Sequence, residues 1–309
     1  MRLGVLDVGS NTVHLVAVDT AAGGRPSPMS DWKTPLKLVE QLDKDGNIHS
    51  KGVKKLVNAV GEAAELGKKL GCDDFIPFAT SAIRSAGNGD EVLDTVEKET
   101  GVRLEILSGV DEARLTFLAV RRWYGWSTGR ITNLDIGGGS LEMSTGTDEI
   151  PDLAFSLDLG AGRLTHNWFD EDPPKKKDVS SLRDFIDAEL EDAAQQMRSL
   201  GPAGLAVGTS KTFRTLARLT GAAPSSEGLY VKRYLTTAGL RQLINFISRM
   251  TAADRAELEG VSSDRSHQIV AGALVAEASM RALGIEQMEI CPWALREGVI
   301  LRRIDKGLE

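Results

Sequence analysis

The strongest constraint on this chain is a short pattern that occurs twice. An apolar run ends in an aspartate, a turn of glycine and small polar residues follows, and a second apolar run leaves the turn. The first copy is Leu3-Gly4-Val5-Leu6-Asp7-Val8-Gly9-Ser10-Asn11-Thr12, continued by Val13–Val18. The second is Ile131-Thr132-Asn133-Leu134-Asp135-Ile136-Gly137-Gly138-Gly139-Ser140, continued by Leu141–Ser144. Each reads as strand, tight turn, strand. A turn without large side chains lets backbone N–H groups converge on one concavity, which suits phosphate oxygens. A carboxylate beside a bare phosphate is repulsive, so a divalent cation is expected between them. One copy alone fits a hairpin whose glycines serve only the turn. Two copies, early in two halves of one chain, predict two related domains clamping a phosphorylated ligand.

The 309 residues are comfortable for two domains. A net charge of −7 argues against a general polyanion-binding surface, so no nucleic acid partner is expected. Phosphate must then be held by local basic groups and metal. Cys72 and Cys291 lie far apart without metal-ligand spacing, which excludes a disulfide framework and fits a reducing compartment. No apolar run approaches the ~20 residues of a membrane helix, and no leader pattern opens the chain. A cytoplasmic protein without a membrane partner is expected.

Strand and helix signals alternate in the manner of an α/β layer architecture. Helical spacing covers 51–70, 90–100, 111–123, 180–200 and 238–250. A polar, Gly- and Pro-containing stretch at 21–35 is followed by an expected strand near Leu36–Leu42. Residues 265–283 are apolar nearly all round, which predicts a helix buried between layers. Tyr124–Gly129 reads as a hinge. The expected domains are residues 1–126, with the first loop, and 127–309, with the second.

A third feature is Ile106-Leu107-Ser108-Gly109-Val110-Asp111-Glu112-Ala113-Arg114. A strand ends at a Ser-Gly turn and a helix begins with two carboxylates. Asp111 suits the positive end of a helix dipole, whereas Glu112 is the better candidate to face a cleft. With this feature the chain resembles the exopolyphosphatase / guanosine pentaphosphate phosphohydrolase (Ppx/GppA) family, within the sugar kinase, Hsp70 and actin superfamily. The segments that carry the resemblance are DVGSNTVHLVAVD at 7–19, ATSAIRSA at 79–86, SGVDEARLTFLAV at 108–120, LDIGGGSLEMS at 134–144, AVGTSKTFRTLA at 206–217 and WALREGVI at 293–300. They run in family order from end to end. The resemblance implies two ribonuclease-H-like (actin-like ATPase) domains around an interdomain cleft, in the short two-domain form, with the last helix packing back on the first domain. Domain closure is expected to accompany binding, because the two phosphate loops are expected on separate domains.

The resemblance implies a set of roles. Glu112 matches the carboxylate that activates water. Asp135 and Glu142 match the metal-associated catalytic acids, and Asp7 is a further candidate for metal or water positioning. Gly9, Ser10, Asn11 and Thr12 would hold one phosphate, and Gly137, Gly138, Gly139 and Ser140 the next. Arg84 matches an arginine facing phosphate, and its fork suits a phosphoryl group. The alternative for Arg84 is a surface salt bridge. Thr209, Ser210, Lys211 and Arg265 complete the candidate phosphate contacts. Convergent carboxylates require Mg²⁺ or Mn²⁺. Homodimers are common in the family, an expectation that rests on the resemblance alone.

Two departures stand out. Lys211 occupies a position where the family usually has glycine; it would add a phosphate contact or block a nucleotide base. His14, in a strand apolar on both sides, reads as a packed residue rather than a catalyst. The loop Pro173–Lys177 reads either as a solvated loop or as a funnel for a polyanion.

The leading functional expectation is an exopolyphosphatase that removes the terminal phosphate of inorganic polyphosphate. The close alternative is the 5′ γ-phosphate of pppGpp. With only 5% aromatic residues, no base platform is conspicuous in the sequence. A small-molecule kinase and a non-catalytic phosphate-chain binding module are the remaining readings.

Overall fold

The computed structural model describes residues 1–20 and 27–306. The chain divides into two compact units: Met1–Leu115 together with the segment from Leu295 onward, and Thr116–Ala294.

The first unit contains β1 (Arg2–Val8), β2 (Thr12–Asp19), β3 (Ser27–Pro35), α1 (Ser50–Lys69), β4 (Asp74–Ala79), the single turn α2 (Ser81–Arg84), α3 (Gly89–Thr100), β5 (Glu105–Ile106) and the start of α4 (Gly109–Tyr124). The strand order is β3-β2-β1-β4-β5. β1, β2 and β3 form an antiparallel meander, while β4 and β5 run parallel to β1. The apolar runs of β1 and β2 are nearly continuous because both faces are covered. Leu6, Val8, Val13 and Leu15 pack with Leu56 and Val60 of α1. Leu3, Val5, Val16 and Val18 pack with Leu115, Val299 and Ile300 on the other side.

The strand expected at Leu36–Leu42 is not there. Within the stretch read as polar loop, residues 21–26 lie outside the described residues, and Ser27–Pro35 is the edge strand β3. Its prolines are tolerated because an edge strand has one unpaired side. Leu36 and Leu38 are fully buried, which accounts for the apolar signal. Lys37, at φ 55, turns the chain instead, and a 3₁₀ turn follows at Leu38–Gln41.

The second unit contains β6 (Ile131–Ile136), β7 (Leu141–Gly146), β8 (Leu153–Leu157), α5 (Ala161–Trp168), α6 (Lys176–Ser199), β9 (Leu205–Gly208), α7 (Lys211–Leu219), β10 (Tyr234–Thr236), α8 (Thr237–Ile247), α9 (Ala252–Ala256), α10 (Ile269–Ala282) and β11 (Gln287–Ile290). Its sheet order is β10-β11-β9-β6-β7-β8. Again an antiparallel meander, β6-β7-β8, is extended by strands parallel to its first member, β9 and β11. The two sheets therefore share one ribonuclease-H-like plan, which the sequence shows only in its two Asp-Gly blocks. From Ile269 through Met280 every residue of α10 is buried, packed among α5, α6, α7 and α8. This matches an apolar pattern broken only by Glu277 and Ser279 before Arg281.

The last helix, α11 (Leu295–Lys306), belongs to the first unit. A Cβ on Gly298 would lie 2.0 Å from the Leu115 carbonyl oxygen, so only glycine lets α11 cross α4 this closely. After α4 the chain passes Gly125 and Gly129, both at positive φ. The buried Arg121 guanidinium donates to the carbonyls of Gly125, Gly129, Gly146 and Asp148 and to the Thr128 hydroxyl, tying down the Tyr124–Gly129 segment.

Candidate active site

Parallel strands place their carboxyl ends on one side of a sheet, where α/β proteins gather their ligand-binding loops. In the first unit these ends belong to β1, β4 and β5. The first Asp-Gly turn, the Thr80–Arg84 turn and the start of α4 follow them directly. The turn closes through the Gly9 amide on the Thr12 carbonyl at 3.0 Å. The Ser10 and Asn11 carbonyls accept from the amides of Leu38, Leu36 and Lys37. In a trans peptide the N–H points opposite to the C=O, so the amides of Asn11 and Thr12 face away from that segment. The Ser10 hydroxyl lies 3.3 Å from the Ser81 hydroxyl, linking the first loop to α2.

Arg84 is in contact with Glu112 through Nη1 and Oε1, and its Nη1 also donates to the Leu107 carbonyl at 2.6 Å. Glu112 is buried, so this is not the surface salt bridge allowed for Arg84. Asp111 accepts from the Ser108 hydroxyl at 2.6 Å while its amide donates back at 3.1 Å, a cap for the start of α4.

Reading the blocks in isolation missed a third group of residues. In the β1–β2 ladder Asp7 faces His14. His14 is buried, its Nε2 is 2.7 Å from Asp31 Oδ2, and Arg296 of α11 reaches within 3.5 Å of both His14 and Asp7. Burial, aided by the Arg296 charge, pushes His14 down to about 4. The ring is therefore neutral at pH 7, and the contact is a hydrogen bond from Nε2–H to a carboxylate rather than an ion pair. For Asp31, burial works upward, but hydrogen bonds from Lys33 and His14 outweigh it and hold the carboxyl below its ordinary range. The available signal was spacing: His14 stands seven residues after Asp7, as Glu142 does after Asp135.

In the second unit the carboxyl ends of β6, β9 and β11 carry the second Asp-Gly turn, Gly208–Ser210 and Cys291. The turn closes in the same way, Gly137 amide to Ser140 carbonyl at 2.9 Å. The carbonyls of Gly137 and Gly138 accept from the amides of Ala161 and Arg163, and that of Gly139 from Arg163 Nε. The amides of Gly138, Gly139 and Ser140 accordingly face the opposite side. Gly160 makes this packing possible, because a Cβ there would lie 2.2 Å from Gly139 and 2.3 Å from Ser140 backbone atoms.

Asp135 and Glu142 face each other across β6 and β7. Asp135 accepts from the Thr209 hydroxyl at 2.5 Å, and Glu142 from the Ser156 hydroxyl at 2.9 Å. Burial pushes the Asp135 carboxyl above its ordinary value, against the Thr209 hydrogen bond and the Arg214 charge. The Ser210 hydroxyl accepts from the amides of Ile136 and Phe213, capping α7 and bracing the loop. Lys211 opens α7, and with Arg265, Thr212 and Gln268 it lines a cavity of about 10 Å³, the room of one water molecule.

Among the described residues no group of three or more His, Cys, Asp or Glu side chains is placed to hold a metal ion within either unit. Two facing carboxylates with hydroxyls around them still fit Mg²⁺ or Mn²⁺. Mg²⁺ keeps several waters and is usually held by one or two carboxylates plus substrate phosphates. Among the described residues no helix is long and apolar enough to cross a membrane.

The second unit also stacks Trp123 on Tyr230, with centroids 5.5 Å apart, beside Trp293. The low aromatic content of the sequence gave no sign of this cluster.

Two units on one ribonuclease-H-like plan, each with a glycine turn after a strand-end aspartate, define an actin-like ATPase fold. Solved structures agree. An exopolyphosphatase from Cytophaga hutchinsonii superimposes with a TM-score of 0.89 at 22% identity, covering 99% of this chain and 98% of that one. An Aquifex aeolicus member of the Ppx/GppA family gives a TM-score of 0.82 at 23% identity, over 100% and 99% of the two chains. At these identities the likeness is one of fold. The chain belongs to the Ppx/GppA phosphatase family, whose sequence profile matches residues 16–307. It is 64% identical to Exopolyphosphatase 1 of Mycobacterium leprae, across 99% of this chain and 90% of the relative. It is also 64% identical to Exopolyphosphatase 1 of Mycobacterium tuberculosis, across 99% and 89%.

Proposed function

We propose that the chain is an exopolyphosphatase that hydrolyses the terminal phosphoanhydride of inorganic polyphosphate and releases orthophosphate. The observation that carries this reading is the 64% identity, over nearly the whole length, to proteins named Exopolyphosphatase 1.

The site chemistry supports it. Glu112 takes the proton of the attacking water as the water oxygen bonds to the terminal phosphorus. The bridging P–O bond then breaks, and the shortened chain leaves on its oxygen. Arg84, held by Glu112 and the Leu107 carbonyl, brings a cationic fork to the phosphoryl oxygens. The outward amides of Asn11 and Thr12 and those of Gly138, Gly139 and Ser140 bind phosphate oxygens. Lys211 and Arg265 supply further positive charge for the chain of phosphates. Asp135 and Glu142 would hold Mg²⁺ or Mn²⁺, and a cation so held would supply positive charge for phosphate oxygens. Asp7, beside Arg296, positions water.

A second reading has one observation in its favour. The Trp123–Tyr230–Trp293 cluster would suit a nucleobase, so pppGpp belongs in the test. The test is orthophosphate release from long polyphosphate, short polyphosphate, pppGpp and ATP with Mg²⁺, at matched terminal-phosphate concentration. Release from polyphosphate is expected, with Glu112→Gln lowering turnover at least ~100-fold and leaving substrate binding largely intact. Release only from pppGpp would keep the chemistry and replace the substrate. Wild-type turnover in Glu112→Gln would remove Glu112 from the mechanism.

A further inference from the structure

One row deeper than the carboxylate pair, the second sheet holds a polar pair with no visible partner. Alternation along β6 puts Ile131, Asn133 and Asp135 on one face, and along β7 it puts Glu142 and Ser144 on that same face. Asn133 faces Ser144 just as Asp135 faces Glu142. Both Asn133 and Ser144 are fully buried, at 0% exposure. Among the described residues, neither amide atom of Asn133 nor the Ser144 hydroxyl has a hydrogen-bond partner.

The immediate neighbours in that row are apolar. Asn133 sits beside Val207 and Ser144 beside Ala154, and Phe117 and Val120 of α4 pack in the apolar cluster on this face. The contrast on the opposite face is direct. There the cross-strand pair Thr132 and Thr145 satisfies itself, with hydroxyls 3.1 Å apart and the Thr145 hydroxyl on the Ile131 carbonyl at 3.0 Å. Burying an unpaired amide and hydroxyl costs about 1–3 kcal/mol each, so a pair kept in this state calls for a polar occupant. Two residues along a strand span about 7 Å, a gap one ordered water can bridge between such side chains.

We propose that Asn133 and Ser144 are positioning residues that hold the Asp135 and Glu142 carboxylates, through ordered water, in the orientation that binds the divalent cation. The inference rests on the reading of Asp135 and Glu142 as the cation ligands. The hydrogen-bonded surroundings of a metal ligand fix its direction, and removing such support typically lowers metal affinity by roughly 10- to 100-fold.

The test uses the full chain without substrate: Mn²⁺ binding followed by electron paramagnetic resonance, beside thermal unfolding of the metal-free protein. Asn133→Leu and Ser144→Ala are made singly and together. The expected result is weaker Mn²⁺ binding, by roughly tenfold or more in the double variant, with metal-free stability unchanged or raised. Should Asn133→Leu fail to fold, Ser144→Ala carries the test, because it removes a single hydroxyl. Unchanged Mn²⁺ affinity, or weaker binding matched by a loss of metal-free stability, overturns the inference. Wild-type protein that binds no Mn²⁺ overturns the cation reading itself and this inference with it.

Discussion

The two Asp-Gly loops are the same device in different electrostatic settings. Each is closed by a single bond from its first glycine amide, and each has its carbonyls held from behind, by residues 36–38 in the first unit and by residues 161–163 in the second. What differs is the group facing the aspartate. Asp7 faces neutral His14 with Arg296 close by, whereas Asp135 faces a second carboxylate, Glu142, with hydroxyls of Thr209 and Ser156 around it. The same closing bond therefore sets Asp7 beside a neutral ring and Arg296, and Asp135 beside a second carboxylate, with the Arg214 charge acting on it from within the second unit. The contrast supports the proposal that a divalent cation binds at Asp135 and Glu142.

The largest expected effect tests that assignment directly. Asp135→Asn should weaken Mn²⁺ binding by more than the roughly 100-fold that loss of a supporting residue costs, while Asp7→Asn leaves it within a few-fold. Calorimetric titration of both variants reads this out. Equal losses would mean that both aspartates are ligands, and the contrast would collapse.

Next in size is a difference in packing. Gly160→Ala pushes a methyl into the backbone of Gly139 and Ser140 and should cost about 3 kcal/mol, with loss of phosphate binding. Gly9→Ala meets nothing closer than the Thr12 carbonyl at 3.6 Å and should cost less than about 1 kcal/mol. Denaturant unfolding of the pair decides it. A stable, active Gly160→Ala protein would show that α5 does not brace the second loop.

The smallest effect sharpens the role of His14. Its folded value, about 4, lies below the ordinary 6.5, so the unfolded chain takes up the proton first as pH falls. The stabilisation is complete above pH 6.5 and drains away toward pH 4, with a loss of about 2 kcal/mol between pH 7 and pH 5. His14→Gln should flatten that slope in unfolding experiments run at the two pH values. A wild-type slope that survives the substitution would place the titrating group elsewhere.

Much of the frame was legible in local pattern. The hairpins around both blocks, the buried helix at Ile269–Ala282 and the α4 start at Ser108–Glu112 follow from apolar periodicity and turn chemistry. The edge strand Ser27–Pro35 was hidden by its prolines and polar residues, since an edge strand needs only one good partner. Leu36 and Leu38 misled because burial, not strand pairing, fixes their apolar character.

By itself the sequence determined the two glycine turns, their flanking strands and the acids beside them, because these are set by residues adjacent in the chain. Only the tertiary structure decided what each acid faces. Arg84 meets Glu112 across 28 positions, Thr209 meets Asp135 across 74, and Arg296 comes back to His14 across 282. Charge, solvation and hydrogen bonding act through space, so what each aspartate meets is a property of the fold.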